Sequence, residues 1–449
     1  MDERSLQRCL TAPDLVFMGI GAIIGAGVFV MTGVAAATKA GPAISLSYVV
    51  AGCAAFFSAL AYAELAASIG GCGSAYSYAF SAFGEWIAWM IGWDLLLEYA
   101  VSVSTVAIGW SGYLNNLLQT WHIALPTKFL SSPFEGGLFN LPAMVIILLL
   151  ASLLCLGVKQ SSRFNTGVVF IKLAAIAIFI SVACFHVQPQ YWHPFFPFGW
   201  EGMVQGASLV FFAYIGFDAL STAVEETIHP ERNTPIGIMG AMVICTLIYI
   251  IVALLLTGIV PYSTLNTHSP VAWALLHLGY PMAAGMVAVG AIAGLTTVML
   301  VMYYGLTRIG LAMARDGLLP HLFAMIHPEK RTPIPMILLS GLVIAIIAGL
   351  APLTRVAELV NIGTLAAFTL VSAGTLFLRW KYPDLKRPFK LPFSPVVPVL
   401  GVFSCLYLMV HLPLITWLRF IIWMILGIIF YLSYGKKHSH AHYSRIKLG

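Results

Sequence analysis

Gly19-Ile20-Gly21-Ala22-Ile23-Ile24-Gly25-Ala26-Gly27 places four glycines in nine residues, about a third of the way into the first long apolar run of the chain. Each glycine weakens a helix by ~1 kcal/mol relative to alanine, so this stretch predicts a membrane helix that breaks partway across. A second, weaker interruption stands at Phe211-Phe212-Ala213-Tyr214-Ile215-Gly216-Phe217-Asp218-Ala219, where a glycine and a carboxylate lie in apolar sequence. The first interruption opens one group of five apolar runs and the second opens the next five. Corresponding breaks in two halves point to a transporter binding site, because an odd number of spans per half gives the halves opposite topology.

The surrounding composition fits that reading. Of 449 residues, 60% are hydrophobic and only 9% are charged, and the mean hydropathy is +0.92. A soluble globular protein carries about 25% charged residues, so this chain is written for lipid. Windows of ~20 apolar residues bounded by Pro, Gly or charge place twelve spans. They lie near 14–38, 41–69, 84–117, 140–158, 164–186, 202–226, 236–260, 283–313, 333–350, 357–379, 395–411 and 413–434. The implied units are a cytoplasmic N-terminus 1–13, a first five-helix repeat 14–186, a second 187–379, two additional helices 380–434 and a cytoplasmic tail 435–449. Arg4 and Arg8 ahead of an apolar stretch, with Ala35-Ala36-Ala37 after it, imitate a signal peptide. Cleavage there would discard the glycine pattern and leave an odd number of spans.

Eighteen of the 23 Lys and Arg residues fall on one side of these spans, four (Lys39, Lys128, Arg355, Arg419) on the other, and Lys172 inside one. By the positive-inside rule both termini are expected in the cytoplasm. The net charge of +6 follows that bias and does not imply nucleic acid. The seven cysteines lie mostly in apolar runs without close pairing, which suits packing rather than disulfides. His438-Ser439-His440-Ala441-His442, after Lys436 and Lys437, reads as a solvated tail rather than a metal site.

Unwound backbone in the bilayer core needs partners, and a substrate between two broken helices supplies them. A half-helix N-terminus offers N–H groups to a carboxylate, and a half-helix C-terminus offers carbonyls to an ammonium. The competing reading of glycine-rich spans is close helix packing, which suits the isolated Gly52 and Gly92. Gly19, Gly21 and Gly25 spell GxGxxxG with no preceding strand, which excludes a dinucleotide fingerprint. No HExxH, GxSxG, P-loop or paired Asp-rich motif is present, so no enzyme is indicated and no cofactor is expected.

These stretches, with Gly92-Trp93-Asp94 to Glu98-Tyr99, Ser162-Arg163-Phe164-Asn165, Glu225-Glu226, Gly290-Ala291-Ile292-Ala293-Gly294 and Asp316-Gly317-Leu318-Leu319-Pro320, resemble the amino acid-polyamine-organocation superfamily of transporters. Within it the chain resembles bacterial members of the cationic amino acid transporter family, over roughly residues 11–435. The resemblance implies an all-α membrane fold of about twelve helices: a five-plus-five inverted repeat of the leucine-transporter kind, helices 1 and 6 broken, and two C-terminal helices. It implies that the substrate carboxylate meets the backbone of Ile23, Gly25, Ala26 and Gly27, and the amino group the carbonyls of Ala213, Tyr214 and Ile215. Ala26 stands where many relatives have Ser or Thr, which leaves the backbone N–H groups alone for the carboxylate. Phe212 matches an aromatic lid, and Met302 a pocket-lining position whose long apolar side chain favours small neutral, alanine-like substrates.

Lys172 lies about eight residues into its span, roughly 12 Å deep at 1.5 Å per residue, and so deep a lysine is a functional candidate by default. The resemblance gives it the place of the sodium ion between helices 1 and 8, with H+ as coupling ion and sodium not expected; a purely structural cation is the alternative. Asp94 and Glu98, four residues apart, share one helix face and are candidates for proton transfer or for holding helix ends. Asp218 either caps the restarting helix or takes part in gating. Glu64, Glu225, Glu226 and Arg232 lie near the cytoplasmic ends, where Glu225 or Glu226 could pair with Arg163 or Arg308 as an inner gate. The expected activity is proton-coupled import of a small neutral L-amino acid in the cytoplasmic membrane. A cationic amino acid permease or an exchanger is the runner-up, with a membrane enzyme or channel behind it. The expected partners are the amino acid and the bilayer; relatives are often monomeric, and a small membrane partner is left open.

Overall fold

The computed structural model describes residues 10–69, 74–123, 125–157, 162–218, 220, 227–330 and 332–439. They are helical nearly throughout, and the single β feature among them is an isolated bridge between Leu10 and Thr227. Helix α1 (Ala12–Ile23) begins where Thr11 donates its backbone N–H to Asp14 Oδ2 at 2.9 Å and Pro13 occupies the first turn. It ends because Ile24 turns to an extended conformation, φ −73° and ψ 104°. Residues 27–40 then continue in wide π turns around one α turn.

After this interrupted helix come α2 (Ile44–Ile69), α3 (Ser74–Phe83), α4 (Glu85–Thr120), α5 (Leu141–Cys155) and α6 (Ser162–Ala183). Helix α7 (Gly199–Val210) opens the second set; its tight last turn Phe211–Tyr214 ends at the extended Ile215. Then follow α8 (Pro230–Ile259), α9 (Pro270–His277), α10 (Pro281–Arg315), α11 (Ile334–Leu350), α12 (Leu353–Lys381), α13 (Val396–Val410) and α14 (Leu414–Phe430). A helix stands at every window assigned from hydropathy. Among the described residues seven helices are long and apolar enough to cross a membrane, and four apolar ones are shorter. The hydropathy windows missed α3 and α9, since ten and eight residues are too short to register.

Small residues bring the helices together. The most extensive contact joins α4 to α10. A Cβ on Gly290 of α10 would lie 2.4 Å from that of Ala175 on α6, and one on Gly294 would lie 2.8 Å from the methylenes of Lys172. Without a hydrophobic drive between helices in lipid, such close approach supplies the contact. The outward faces are apolar: Leu148 and Leu149 of α5, Phe170 of α6, Leu342 of α11 and Ile421, Ile425 and Ile429 of α14 are exposed. Helix α14 docks through tryptophans. Trp93 and Trp423 stack at 4.6 Å and each donates its indole N–H to the other's carbonyl, while Trp89 donates to Gly427 O at 3.0 Å.

On the side that carries Lys39, Pro270 of α9 seats against Gly33, where a Cβ would lie 2.3 Å away. His268, just before α9, faces Glu135 at 3.7 Å. Burial raises the Glu135 carboxyl, but His268 and Ser132 outweigh it and leave the group below its ordinary value.

The two interruptions touch. A Cβ on Gly27 would sit 2.3 Å from Ala213 Cα, and Gly216 holds φ +115° with a would-be Cβ 2.7 Å from Ala22 O. Gly27→Ala and Gly216→Ala should each lower stability by about 1–3 kcal/mol or more through overpacking against backbone. Gly167→Ala, whose Cβ meets nothing within 4 Å, should leave the melting temperature in detergent unchanged or raised.

Candidate functional site

The site lies where the two interrupted helices cross. Their breaks leave main-chain groups without the i→i−4 ladder, and the surrounding helices answer with side-chain donors. Lys172 of α6, 0% exposed, donates from Nζ to Gly21 O at 2.6 Å and to Ile24 O at 2.9 Å. Its stem lies on Gly294 of α10, so one side chain ties α6 to α1 and α10. Tyr249 of α8 donates to Ile23 O at 2.8 Å and lies 3.0 Å from Ala213 O. Tyr48 of α2 donates to Gly27 O at 3.0 Å, shares a 2.7 Å hydrogen bond with Thr32, and accepts at its own carbonyl from Tyr214 Oη at 2.8 Å. Asn361 of α12 donates to Leu209 O at 2.8 Å.

The donors of the first break are arranged differently. Among the described residues the amides of Gly25 and Ala26 make no backbone hydrogen bond, while Phe29 N–H returns to Gly25 O at 3.3 Å. These amides begin the second half of the interrupted helix, where an anion is favoured. Ala26, Phe212 and Ile23 are each at most 4% exposed. Tyr214 and Ile215 are buried in the same crossing. Gly25 faces Val298 of α10, with 3.2 Å left for a Cβ. Met302, one turn further along α10, is buried on the same face. The structure therefore brings Ile23, Gly25, Ala26, Gly27, Phe212, Ala213, Tyr214 and Ile215 to one place, with Lys172 beneath them.

The carboxylates form a second, adjacent group. Asp94, Glu98 and Asp218 are each no more than 4% exposed. Tyr99 donates to Asp218 Oδ2 at 2.7 Å, and Asp218 Oδ1 accepts from Gly216 N–H at 3.2 Å. Asp218 thus holds the turn that precedes it and links it to α4. Tyr62 of α2 lies within electrostatic reach of all three acids. Asp94 Oδ1, which Gly363 of α12 makes room for, has no hydrogen-bond partner among the described residues, nor has Glu98 Oε2. Buried carboxylate oxygens without donors are costly when ionised and suit protonation.

The charges near these helix ends are described only in part. Glu225 and Glu226 lie outside the described residues, and so does the side chain of Arg163. Arg308 pairs with its own helix, its guanidinium against Tyr304. The buried pair is made by Glu64 of α2. Arg379 of α12 grips Glu64 through Nε and Nη2, Arg387 approaches at 3.7 Å, and Leu391 N–H donates at 2.8 Å. Arg387 also donates to the carbonyls of Leu378, Tyr382, Pro383 and Leu385. The partners were invisible in the sequence because they lie more than 300 residues away, on a helix end and a loop. Tyr48, Tyr249 and Val298 were also missed, since a tyrosine or valine in an apolar run carries no distinguishing mark. Removing one member of a buried ion pair leaves the other uncompensated. Glu64→Gln should therefore cost on the order of 3 kcal/mol, seen as a lower melting temperature and poorer yield of monodisperse protein.

The family described as amino acid permease matches residues 10–431. A methylthioribose transporter of Bacillus subtilis is 48% identical over 439 residues, covering 97% of this chain and 95% of that protein. The branched-chain amino acid permease BcaP of the same organism is 45% identical over 442 residues, with 97% and 95% covered. The human cationic amino acid transporter 4 is 36% identical over 386 residues, 84% of this chain and 61% of that protein.

Proposed function

Because this chain belongs to the amino acid permease family of the amino acid-polyamine-organocation superfamily, a family of multi-pass membrane transporters and not of enzymes, we propose that it imports a small neutral L-amino acid together with a proton. The observation that carries the coupling is the seating of Lys172 on Gly21 O and Ile24 O. An ammonium group at the carbonyl end of a half-helix fills the place of a metal cation and, unlike one, can lose its charge. Deprotonation of Lys172 would release α1 and α10 from each other; protonation would draw them together. Asp94, Glu98 and Asp218 are the carboxylates available to pass the proton.

In this reading twelve spans are arranged as two inverted five-helix repeats and two further helices, with both termini in the cytoplasm and the chain in the cytoplasmic membrane. The amides of Gly25, Ala26 and Gly27 with the backbone of Ile23 receive the carboxylate, and Ala213, Tyr214 and Ile215 face the ammonium. Phe212 covers the ligand. Val298 and Met302 offer an apolar wall without a carboxylate for a cationic side chain. The same wall suits branched aliphatic side chains, in keeping with the named substrate of the relative at 45% identity. The relative at 48% identity is named for methylthioribose, a sugar thioether, which gives the second reading.

Purified protein in sodium-free liposomes separates these readings when offered alanine, leucine, arginine and methylthioribose. Accumulation of alanine driven by an inside-alkaline pH gradient is the expected result. A strict sodium requirement, or uptake of methylthioribose with no amino acid uptake, would overturn the proposal. Lys172→Ala should abolish gradient-driven accumulation; accumulation equal to the parent's would remove Lys172 from the coupling.

A further inference from the structure

Two carbonyls, one from each broken helix, converge on a single hydroxyl. Ile23 is the last residue of α1, and Ala213 lies in the last turn before the second break. Tyr249 is fully buried, with Oη 2.8 Å from Ile23 O and 3.0 Å from Ala213 O. No other hydrogen bond reaches either carbonyl oxygen from outside its own helix among the described residues. A phenol carries one proton and cannot serve two acceptors fully, while two carbonyls present up to four lone pairs. The cradle is therefore short of donors by construction, and a buried acceptor without a donor is expensive.

We propose that Tyr249 is a positioning residue that stands in for the ligand's ammonium: it holds the two breaks together when the site is empty and yields or shares their carbonyls when a primary amine binds. The inference rests on the amino acid reading above and goes beyond it, because it assigns a role to a residue outside the two breaks. A protonated primary amine brings three N–H donors to the same oxygens, which makes up the shortfall that the phenol leaves. Release of the amine is then assisted, since the phenol proton is on hand to re-cover Ile23 O and Ala213 O. Tyr249 packs at 5.2 Å from the ring of Tyr48 and 5.6 Å from that of Tyr214, so its ring is held independently of its hydroxyl.

Tyr249→Phe removes the hydroxyl and keeps this ring packing. With no resident donor, the empty cradle is less stable and the bound one is unchanged. Alanine should bind roughly five-fold tighter, the factor that a typical net hydrogen bond confers. Uptake should show a lower KM together with a lower kcat, because release slows. Propionate, which is alanine without the amine, should bind parent and variant alike. Tyr303→Phe is the comparison, as Tyr303 Oη donates at 2.5 Å to Ile337 O away from the breaks; its alanine affinity should equal the parent's.

Unchanged or weaker alanine affinity in Tyr249→Phe overturns the inference, as does a variant that fails to fold, which would make the hydroxyl a folding requirement. An equal gain for propionate overturns it too, because the effect would not depend on the amine. If the parent protein binds no amino acid while taking up methylthioribose, the substrate reading itself fails and this inference falls with it.

Discussion

Hydrocarbon offers no hydrogen bonds, and that one constraint organises the molecule. Every regular helix meets it internally, so the two places where the ladder is abandoned must be served from outside. The helices around the crossing supply what is missing: an ammonium from α6, phenols from α2 and α8, and an amide from α12. Each reaches main chain, and Tyr48 shares a further hydrogen bond with the Thr32 hydroxyl. The breaks are thus held as built features, with donors arriving from helices that are distant in sequence.

The same crossing explains where glycine is indispensable. Gly27 and Gly216 face each other's strand of main chain at distances that no Cβ tolerates, and Gly216 also needs a left-handed backbone. Gly294 serves another purpose, making room for the stem of Lys172. Glycine therefore does three things in one region: it breaks a helix, lets two breaks touch, and admits the cation that holds them. Where the wall of the site is concerned, Gly25 against Val298 sets how near α10 approaches the first break.

Charge is confined in a comparable way. Lys172 is matched with carbonyls rather than with a carboxylate, and the three buried acids sit beside the breaks with tyrosines as neighbours. Around Glu64 the order is reversed, since it meets two arginines and an amide and is fully compensated. The compensated acid fastens helices α2 and α12, whereas Asp94 Oδ1 and Glu98 Oε2 have no hydrogen-bond partner among the described residues. Helix α14 lies outside these groupings, yet its Trp423 grips Trp93 of α4, one residue from Asp94.

Composition and pattern by themselves determined a membrane-embedded helical protein, the places of its apolar helices, the two interruptions and the buried lysine. These were legible because apolar length, glycine density and a charge in apolar sequence are local signals that lipid makes decisive. Asp94 and Glu98 could be put on one helix face for the same reason, as helical spacing needs no partner. What the tertiary structure alone decided was who answers whom: Tyr249 with both breaks, Lys172 with Gly21 and Ile24, Glu64 with Arg379. Those pairings depend on how far apart helices come to lie and how they are rotated, which is fixed by packing at small residues over hundreds of positions. A tyrosine in an apolar run looks the same whether it faces lipid or an unpaired carbonyl, so its role appears only when the helices are assembled.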